Sequence, residues 1–253
     1  MKIQILGSGS KGNSILFDDG NSRVLVDVGF SCRNLTERLA KIGVEPDSID
    51  AIVVTHEHSD HVRGLHLWVK KHGTKVFATR GTMEAVEEIS EKSVEFVEIA
   101  SGKVVEVGGF KVLPFNLSHD ANDPVGLLVK SNGTKIGVAT DLGCATALVR
   151  ERLKGVDALV LEFNHDINML MDGPYPWHLK DRIRKNRGHL SNEQAAKLLG
   201  DIYHDGMECV ALAHMSETNN APDLAVCAAG EIIKGKTKIV VAEQDCPAPA
   251  IKL

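Results

Sequence analysis

Three histidines and two acids fall within six residues in His56-Glu57-His58-Ser59-Asp60-His61. Imidazole nitrogens and carboxylate oxygens are the ligands that zinc, manganese and iron accept, and alternate members of a short loop can be aimed at two neighbouring ions. A lone histidine is ordinarily a surface residue or a satisfied core residue, but here a crowd of potential ligands abuts the apolar run Ala51–Thr55. Further His and Asp residues stand at or near the ends of β-favouring runs: Asp27, His119, Asp141 and His214. Each alone carries little weight; together they form a set of one chemical kind.

A second motif points elsewhere. Gly7, Gly9 and Gly12 make G-x-G-x-x-G after a strand-like run, and Asp27 follows 20 residues after Gly7, as in a dinucleotide-binding fingerprint. That fingerprint requires a helix to start at the last glycine, so that its amino-terminal N–H groups hold a pyrophosphate. Asn13–Phe17 instead continues as a strand toward the turn Asp18-Asp19-Gly20-Asn21. No nucleotide cofactor is expected, and the glycines predict a tight, exposed loop beside an active site.

The elements that must position these residues alternate in kind. Lys2–Leu6, Ser14–Phe17, Arg23–Val28, Ala51–Thr55, Lys75–Ala78 and Val94–Glu98 read as strands, as do Val104–Val107, Lys111–Phe115, Val125–Lys130 and Lys135–Thr140. Asn132-Gly133 supplies a hairpin turn for the last pair. Leu35, Leu39 and Ile42 repeat at helical spacing, and helices are expected over Leu65–Lys71, Ala145–Leu153, Asn192–Tyr203 and Ala221–Lys234. Ser191 with Gln194 forms a capping box for the third of these. Ala158–Phe163, Val210–Ala213 and Lys238–Ala242 alternate with the later helices as strands. Two series of strands with helices interspersed predict an α/β protein of two face-to-face sheets with helices outside.

The chain has 253 residues, 43% hydrophobic and 25% charged, with net charge −5, which excludes a disordered chain. The acidity also argues against nonspecific coating of nucleic acid, which needs a basic field. Apolar stretches such as Ala158–Leu161 fall far short of the ~20 residues of a membrane span, so no membrane partner is expected. The amino terminus lacks the pattern of a signal peptide, and Cys32, Cys144, Cys209, Cys227 and Cys246 are scattered without a C-x-x-C pair. Both features predict a cytoplasmic protein with reduced thiols. No linker-like tract interrupts residues 1–253, so one domain is expected.

The H-x-H-x-D-H motif, followed in order by His119, Asp141 and His214 and preceded by Asp27, resembles the metallo-β-lactamase superfamily over nearly the whole chain. The resemblance implies a four-layer αββα sandwich with metals at one sheet edge. It implies one ion on His56, His58 and His119, a second on Asp60, His61 and His214, Asp141 bridging them, and Asp27 orienting ligands from behind. Asp60 would be catalytic as well as ligating. The second-site cysteine of familiar zinc β-lactamases is missing, since Cys144 lies three residues beyond Asp141. The all-His/Asp set instead resembles the branch of nucleases, phosphodiesterases and glyoxalase II.

Within that branch, Gly7-Ser8-Gly9-Ser10-Lys11-Gly12-Asn13-Ser14, Glu162-Phe163-Asn164-His165-Asp166, Gly173-Pro174-Tyr175-Pro176 and Arg187-Gly188-His189-Leu190-Ser191-Asn192 are similar to the bacterial YycJ/WalJ exonuclease family. This implies phosphodiester hydrolysis on DNA, from 5′ ends. Two ions about 3.5–4 Å apart suit that reaction, because they activate a water and neutralise the charge that grows in in-line attack. The leaving oxygen needs a proton or a charge partner. His189, just before the capped helix, is the candidate for that role or for phosphate binding, with Glu162 orienting it. That pair resembles the glutamate–histidine couple of related RNA-processing nucleases; a strand-end Glu and a loop His that merely face water is the plainer alternative.

Lys180, Arg182, Arg184, Lys185 and Arg187 lie within eight residues and lead to His189. They read either as a track for a phosphate backbone or as a solvated face, and Tyr175 and Trp177 upstream read either as stacking platforms or as packing of an irregular loop. His165, His178 and His204 receive no metal role, and His66 and His72 are expected on a helix surface. Two rivals to a DNA exonuclease remain. One is a small-molecule hydrolase, either a cyclic-phosphate phosphodiesterase or a glyoxalase II-like thioesterase, although the latter usually adds a helical carboxy-terminal domain. The other is a noncatalytic binder of DNA ends.

Overall fold

Two antiparallel meanders, each prolonged by parallel strands, set the frame of the molecule in a computed structural model that describes residues 1–90 and 94–253. The first half runs β1 (Lys2–Gly7), β2 (Ser14–Asp18), β3 (Arg23–Val26), α1 (Cys32–Lys41), β4 (Ala51–Val53), α2 (Ser59–Val62), α3 (Leu65–His72), β5 (Lys75–Ala78), α4 (Arg80–Ser90) and β6 (Phe96–Glu98). The second runs β7 (Val105–Val107), β8 (Phe110–Asn116), β9 (Val125–Ser131), β10 (Thr134–Ala139), α5 (Ala147–Leu153), β11 (Ala158–Glu162), α6 (Ile167–Asp172), α7 (Trp177–Arg184), α8 (Asn192–Ile202), β12 (Cys209–Ala213), α9 (Pro222–Gly230) and β13 (Lys238–Val241). A last strand, β14 (Ile251–Lys252), returns to pair with β1.

The sheets are ordered β14-β1-β2-β3-β4-β5-β6 and β13-β12-β11-β10-β9-β8-β7. In the first, β1 to β3 are antiparallel and β3 to β6 parallel; in the second, β7 to β10 are antiparallel and β10 to β13 parallel. Side chains alternate across a strand, so each sheet offers two apolar faces. Ile3, Ile5, Val24 and Val26 face Val112, Leu127, Val129 and Ile136 between the sheets. On the outer faces Leu16 and Leu25 meet Leu35, Leu39 and Trp68, while Leu128, Leu159 and Leu161 meet Leu153, Leu198 and Leu199. Three apolar seams therefore separate four layers, the αββα order.

The two halves turn the same corner. Asp27-Val28-Gly29 follows β3 and Asp141-Leu142-Gly143 follows β10, each at the last meander strand, and both aspartates are left-handed, with φ of 63° and 60°. Glycine is required at both corners by close approach: a Cβ on Gly29 would lie 1.7 Å from the Asp60 carbonyl oxygen, and one on Gly143 2.4 Å from the Asn186 backbone. Among the described residues, the only other non-glycine residues with positive φ are Asn132, in the hairpin turn, and His214 (φ 52°).

Several expectations need correction. β3 stops at Val26, not Val28, because Asp27 leaves the extended region. The stretch after Tyr175, read as an irregular loop, enters helix α7 at Trp177. Helices α4 and α6 were not expected. His72 is half-buried on its helix, with its side chain turned inward: the side chain is 5% exposed, its ring centre lies 4.5 Å from that of Trp68, and Nδ1 is 2.5 Å from Asp47. The capping box of α8 is present as read, with Ser191 and Gln194 exchanging hydrogen bonds. Among the described residues, no helix is long and apolar enough to cross a membrane.

Candidate metal centre

The ligand candidates converge where strands of both sheets end. His56, His58 and His119 bring one nitrogen each into a group whose atoms lie within 4.8 Å of one another, and Asp60, His61, Asp141 and His214 form a second such group. The loop after β4 and helix α2 carry His56 to His61, the loop after β8 carries His119, and the turns after β10 and β12 carry Asp141 and His214. Each group thus draws on both sheets. Asp141 stands between them: Oδ2 is 3.3 Å from His61 Nε2, while Oδ1 is 3.4 Å from His214 Nε2 and 3.8 Å from His119 Nε2. The left-handed backbone at Asp141 and His214 is a local cost of order 1–3 kcal/mol each, which aims these side chains inward.

The donor atoms suit a cation. His56 Nε2 and Asp141 Oδ2 are buried and have no hydrogen-bond partner, an expensive condition for polar atoms unless something else engages them. Buried charge is also unevenly balanced. Burial drives the pKa values of His56 and His119 down, so these rings are neutral, as ligation requires. Burial works in the same direction on His61 and His214, yet the carboxylates of Asp141, Asp27 and Asp60 prevail at His61 and raise its pKa. At His214, Asp141, Asp60 and Glu162 push it up to about 10. Burial would raise the pKa of Asp60, but His61 and His214 hold it far below the ordinary range. The second group therefore attracts positive charge, which a proton or a metal ion supplies.

A further layer of hydrogen bonds fixes these rings. Asp27 Oδ2 lies 2.8 Å from His61 Nδ1 and accepts from Thr55 Oγ1, while Oδ1 accepts from the Thr55 N–H. Thr55 Oγ1 is 3.1 Å from His56 Nδ1, and the Gly188 carbonyl is 3.1 Å from His119 Nδ1. Fully buried at the end of β11, Glu162 serves several groups at once. Oε2 is 3.0 Å from His189 Nδ1 and 2.9 Å from His214 Nδ1 and accepts from the Asp141 N–H, while Oε1 accepts from the Leu190 N–H. Burial acts to raise its pKa, but His189 and His214 bring it down to about 2. Glu162 and His189 are therefore in contact, and the alternative in which both merely face water does not hold.

The centre opens into a cleft of about 250 Å³ whose wall includes Ser10, Tyr175, Leu179, Arg182, Ile183 and His189. The five basic residues do not share one face. Arg182 lines the cleft and donates through Nε to Asp120 at 2.6 Å. Lys180 is buried with Nζ on the Met171 carbonyl, Arg184 faces Met171 Sδ, and Lys185 pairs with Asp181. Arg187 donates to the backbone carbonyls of His119 and Ala121, clamping the ligand loop. Trp177 is 64% exposed on α7, about half a helical turn away from the Leu179, Arg182 and Ile183 face that meets the cleft.

The glycine loop is beside the site as expected, but it is largely buried; only Ser10 and Lys11 are exposed. Asn13 from this loop places Nδ2 3.2 Å from both Asp60 Oδ2 and His61 Nε2, and Ser8 Oγ accepts from the His214 N–H. Sequence reading missed Asn13, Asp120 and the Glu162–His214 contact. Asp120 adjoins His119 in the same short motif, and that adjacency was the available signal. His165 is buried and belongs to no ligand group among the described residues.

Comparison with known proteins gives concordant matches. The profile of the beta-lactamase superfamily domain matches residues 22–215. The chain is 33% identical over 239 residues to the exodeoxyribonuclease YycJ of Bacillus anthracis, covering 93% of this chain and 90% of that one. It is 34% identical over 230 residues to the exodeoxyribonuclease WalJ of Streptococcus pneumoniae, covering 88% and 85%. Among solved structures, the metallo-beta-lactamase fold protein YhfI from Bacillus subtilis superposes with a TM-score of 0.77 at 14% identity, covering 99% of each chain.

Proposed function

The chain belongs to the metallo-β-lactamase superfamily of hydrolases, and within it to the YycJ/WalJ family, and from that premise we propose that it removes nucleotides from DNA, acting from 5′ ends. His56, His58 and His119 would hold one divalent cation and Asp60, His61 and His214 a second, with Asp141 standing between the two groups; zinc, manganese and iron all suit these ligands. The observation that carries this reading is the pair of adjoining ligand groups at the floor of one cleft, with the Glu162–His189 couple at its side. Two divalent ions held there would supply the activation of a water and the neutralisation of charge on the phosphate. No nucleophilic side chain is then required.

The chain's own residues complete the reaction. Glu162 fixes His189 through Nδ1, so that Nε2 of this cleft-lining ring is the nitrogen available to donate a proton to the departing oxygen. Arg182 is the basic residue best placed to hold a phosphate oxygen, since its Nε is committed to Asp120 while its terminal N–H groups can still donate. Tyr175, Leu179 and Ile183 give the cleft an apolar wall against which a sugar or base can rest.

End-labelled single- and double-stranded DNA and RNA, with a bis-aryl phosphodiester as control, should be digested across a panel of divalent metals. Stepwise loss of label from DNA 5′ ends supports the proposal. Cleavage of the small ester alone overturns it in favour of a small-molecule phosphodiesterase, and loss from RNA alone overturns the assignment to DNA.

A further inference from the structure

Four of the five candidate ligand histidines present their second ring nitrogen to a hydrogen-bond partner: His56 to Thr55, His61 to Asp27, His119 to the Gly188 carbonyl and His214 to Glu162, at 2.8–3.1 Å. His58 is different. Its Nδ1 lies 3.2 Å from His119 Nε2, so that nitrogen is the one turned into the three-histidine group, and Nε2 faces away. The carboxylate facing Nε2 is Asp120, with Oδ1 at 3.8 Å, inside ion-pair range and beyond a hydrogen bond. Asp120 Oδ1 is itself buried without a hydrogen-bond partner and lies 3.5 Å from His119 Nε2.

An imidazole that binds a cation through one nitrogen carries a proton on the other and needs an acceptor there. The unengaged oxygen of Asp120 supplies that acceptor after a shift of less than an ångström. The other oxygen is already fixed, since Oδ2 accepts from Arg182 Nε at 2.6 Å, and both residues line the cleft.

We propose that Asp120 is the positioning carboxylate of His58 and that Arg182 holds it in place, so that cation affinity at the His56/His58/His119 group depends on a cleft arginine. Asp120 acts through His58. The inference rests on reading these histidines as metal ligands, and it ties the phosphate-binding wall of the cleft to one of the two cations.

The test is direct metal titration of the full chain, stripped of metal and without substrate, using manganese and zinc in competition with a chromophoric chelator. Wild type should bind two ions. Asp120→Ala and Arg182→Met should each weaken one of them, by 10–100-fold for Asp120→Ala, and leave the other unchanged. Asp120→Asn keeps an amide oxygen for His58 and should lose less, and Asp27→Asn should weaken the opposite ion through His61. Wild-type affinity at both sites in Asp120→Ala and Asp120→Asn overturns the proposal, as does equal weakening of both ions, which a merely structural role would produce. Unchanged affinity in Arg182→Met overturns the part given to the arginine. A wild type that binds fewer than two ions overturns the two-cation reading instead.

Discussion

Glu162 Oε2 lies 2.9 Å from His214 Nδ1. The same oxygen reaches His189 Nδ1, so one buried carboxylate steadies both a candidate ligand and the candidate proton donor. Glu162→Gln preserves size but removes the charge that favours both imidazoles. It should lower turnover by about 10²-fold or more and weaken cation binding at His214 by about 10-fold. Single-turnover rates at saturating metal, set beside chelator titrations, check both effects; a loss that saturating metal fully restores would leave His189 without its assigned role.

The second group includes half-buried Asp60 and buried Asp141, and two more buried acids, Asp27 and Glu162, stand against its histidines. Cations bound there should stabilise the fold as well as enable hydrolysis. At a metal concentration 100 times Kd, the gain is about 2.7 kcal/mol per site, so thermal melts should shift upward on adding metal and back with chelator. His61→Ala and Asp141→Ala should abolish turnover and shrink that shift while circular dichroism stays native. Undiminished hydrolysis after exhaustive chelation would falsify the mechanism.

His165 tests burial apart from the ligand groups. Burial pushes its pKa down to about 4 from the ordinary 6.5. The unfolded chain therefore takes up a proton before the folded one as pH falls. Stability from the neutral ring is complete above about pH 6.5 and is lost as pH drops toward 4. At pH 5 the contribution lost is on the order of 2 kcal/mol. Urea midpoints of the metal-free protein at pH 7 and pH 5 should fall further for wild type than for His165→Gln; parallel falls would refute the assignment.

The two corner glycines bear on different parts of the site: Gly29 on the candidate ligands alone, Gly143 on the proton donor as well. Gly29→Ala drives a methyl into the Asp60 carbonyl and should lower metal loading. Gly143→Ala presses on the Asn186–Gly188 backbone that leads to His189 and carries the carbonyl facing His119, and should cost about 10²-fold in turnover, a loss that saturating metal does not fully restore. Each should also destabilise by about 1–3 kcal/mol. Metal content and rates of the purified variants decide between these patterns, and identical phenotypes would count against the division.

Much of the candidate ligand grouping was legible because strand-end positions are written locally: His56 to His61 adjoin an apolar run, and Asp141 and His214 follow others. The αββα order followed from alternating apolar runs together with the family resemblance. Other features depend on distances between remote segments. Glu162 and His214 are 52 residues apart, and Asn13 and Asp60 are 47, so no local pattern could join them. Helix α7 escaped notice because its buried positions are few and its charges dominate. The same charges looked like one track when written in a row, but a helix distributes them around its axis, which is why Lys180 is buried and Arg182 meets the cleft.

Because Asp60 and His61 follow a strand of one sheet and Asp141 and His214 follow strands of the other, a cation held by the second group would act as a rivet across the edge of the sandwich where those strands end. Shear between the layers would stretch or break it. Slow breathing of the two halves and loss of the ion would then be one event, and hydrogen exchange along the seam should quicken when the rivet is withdrawn.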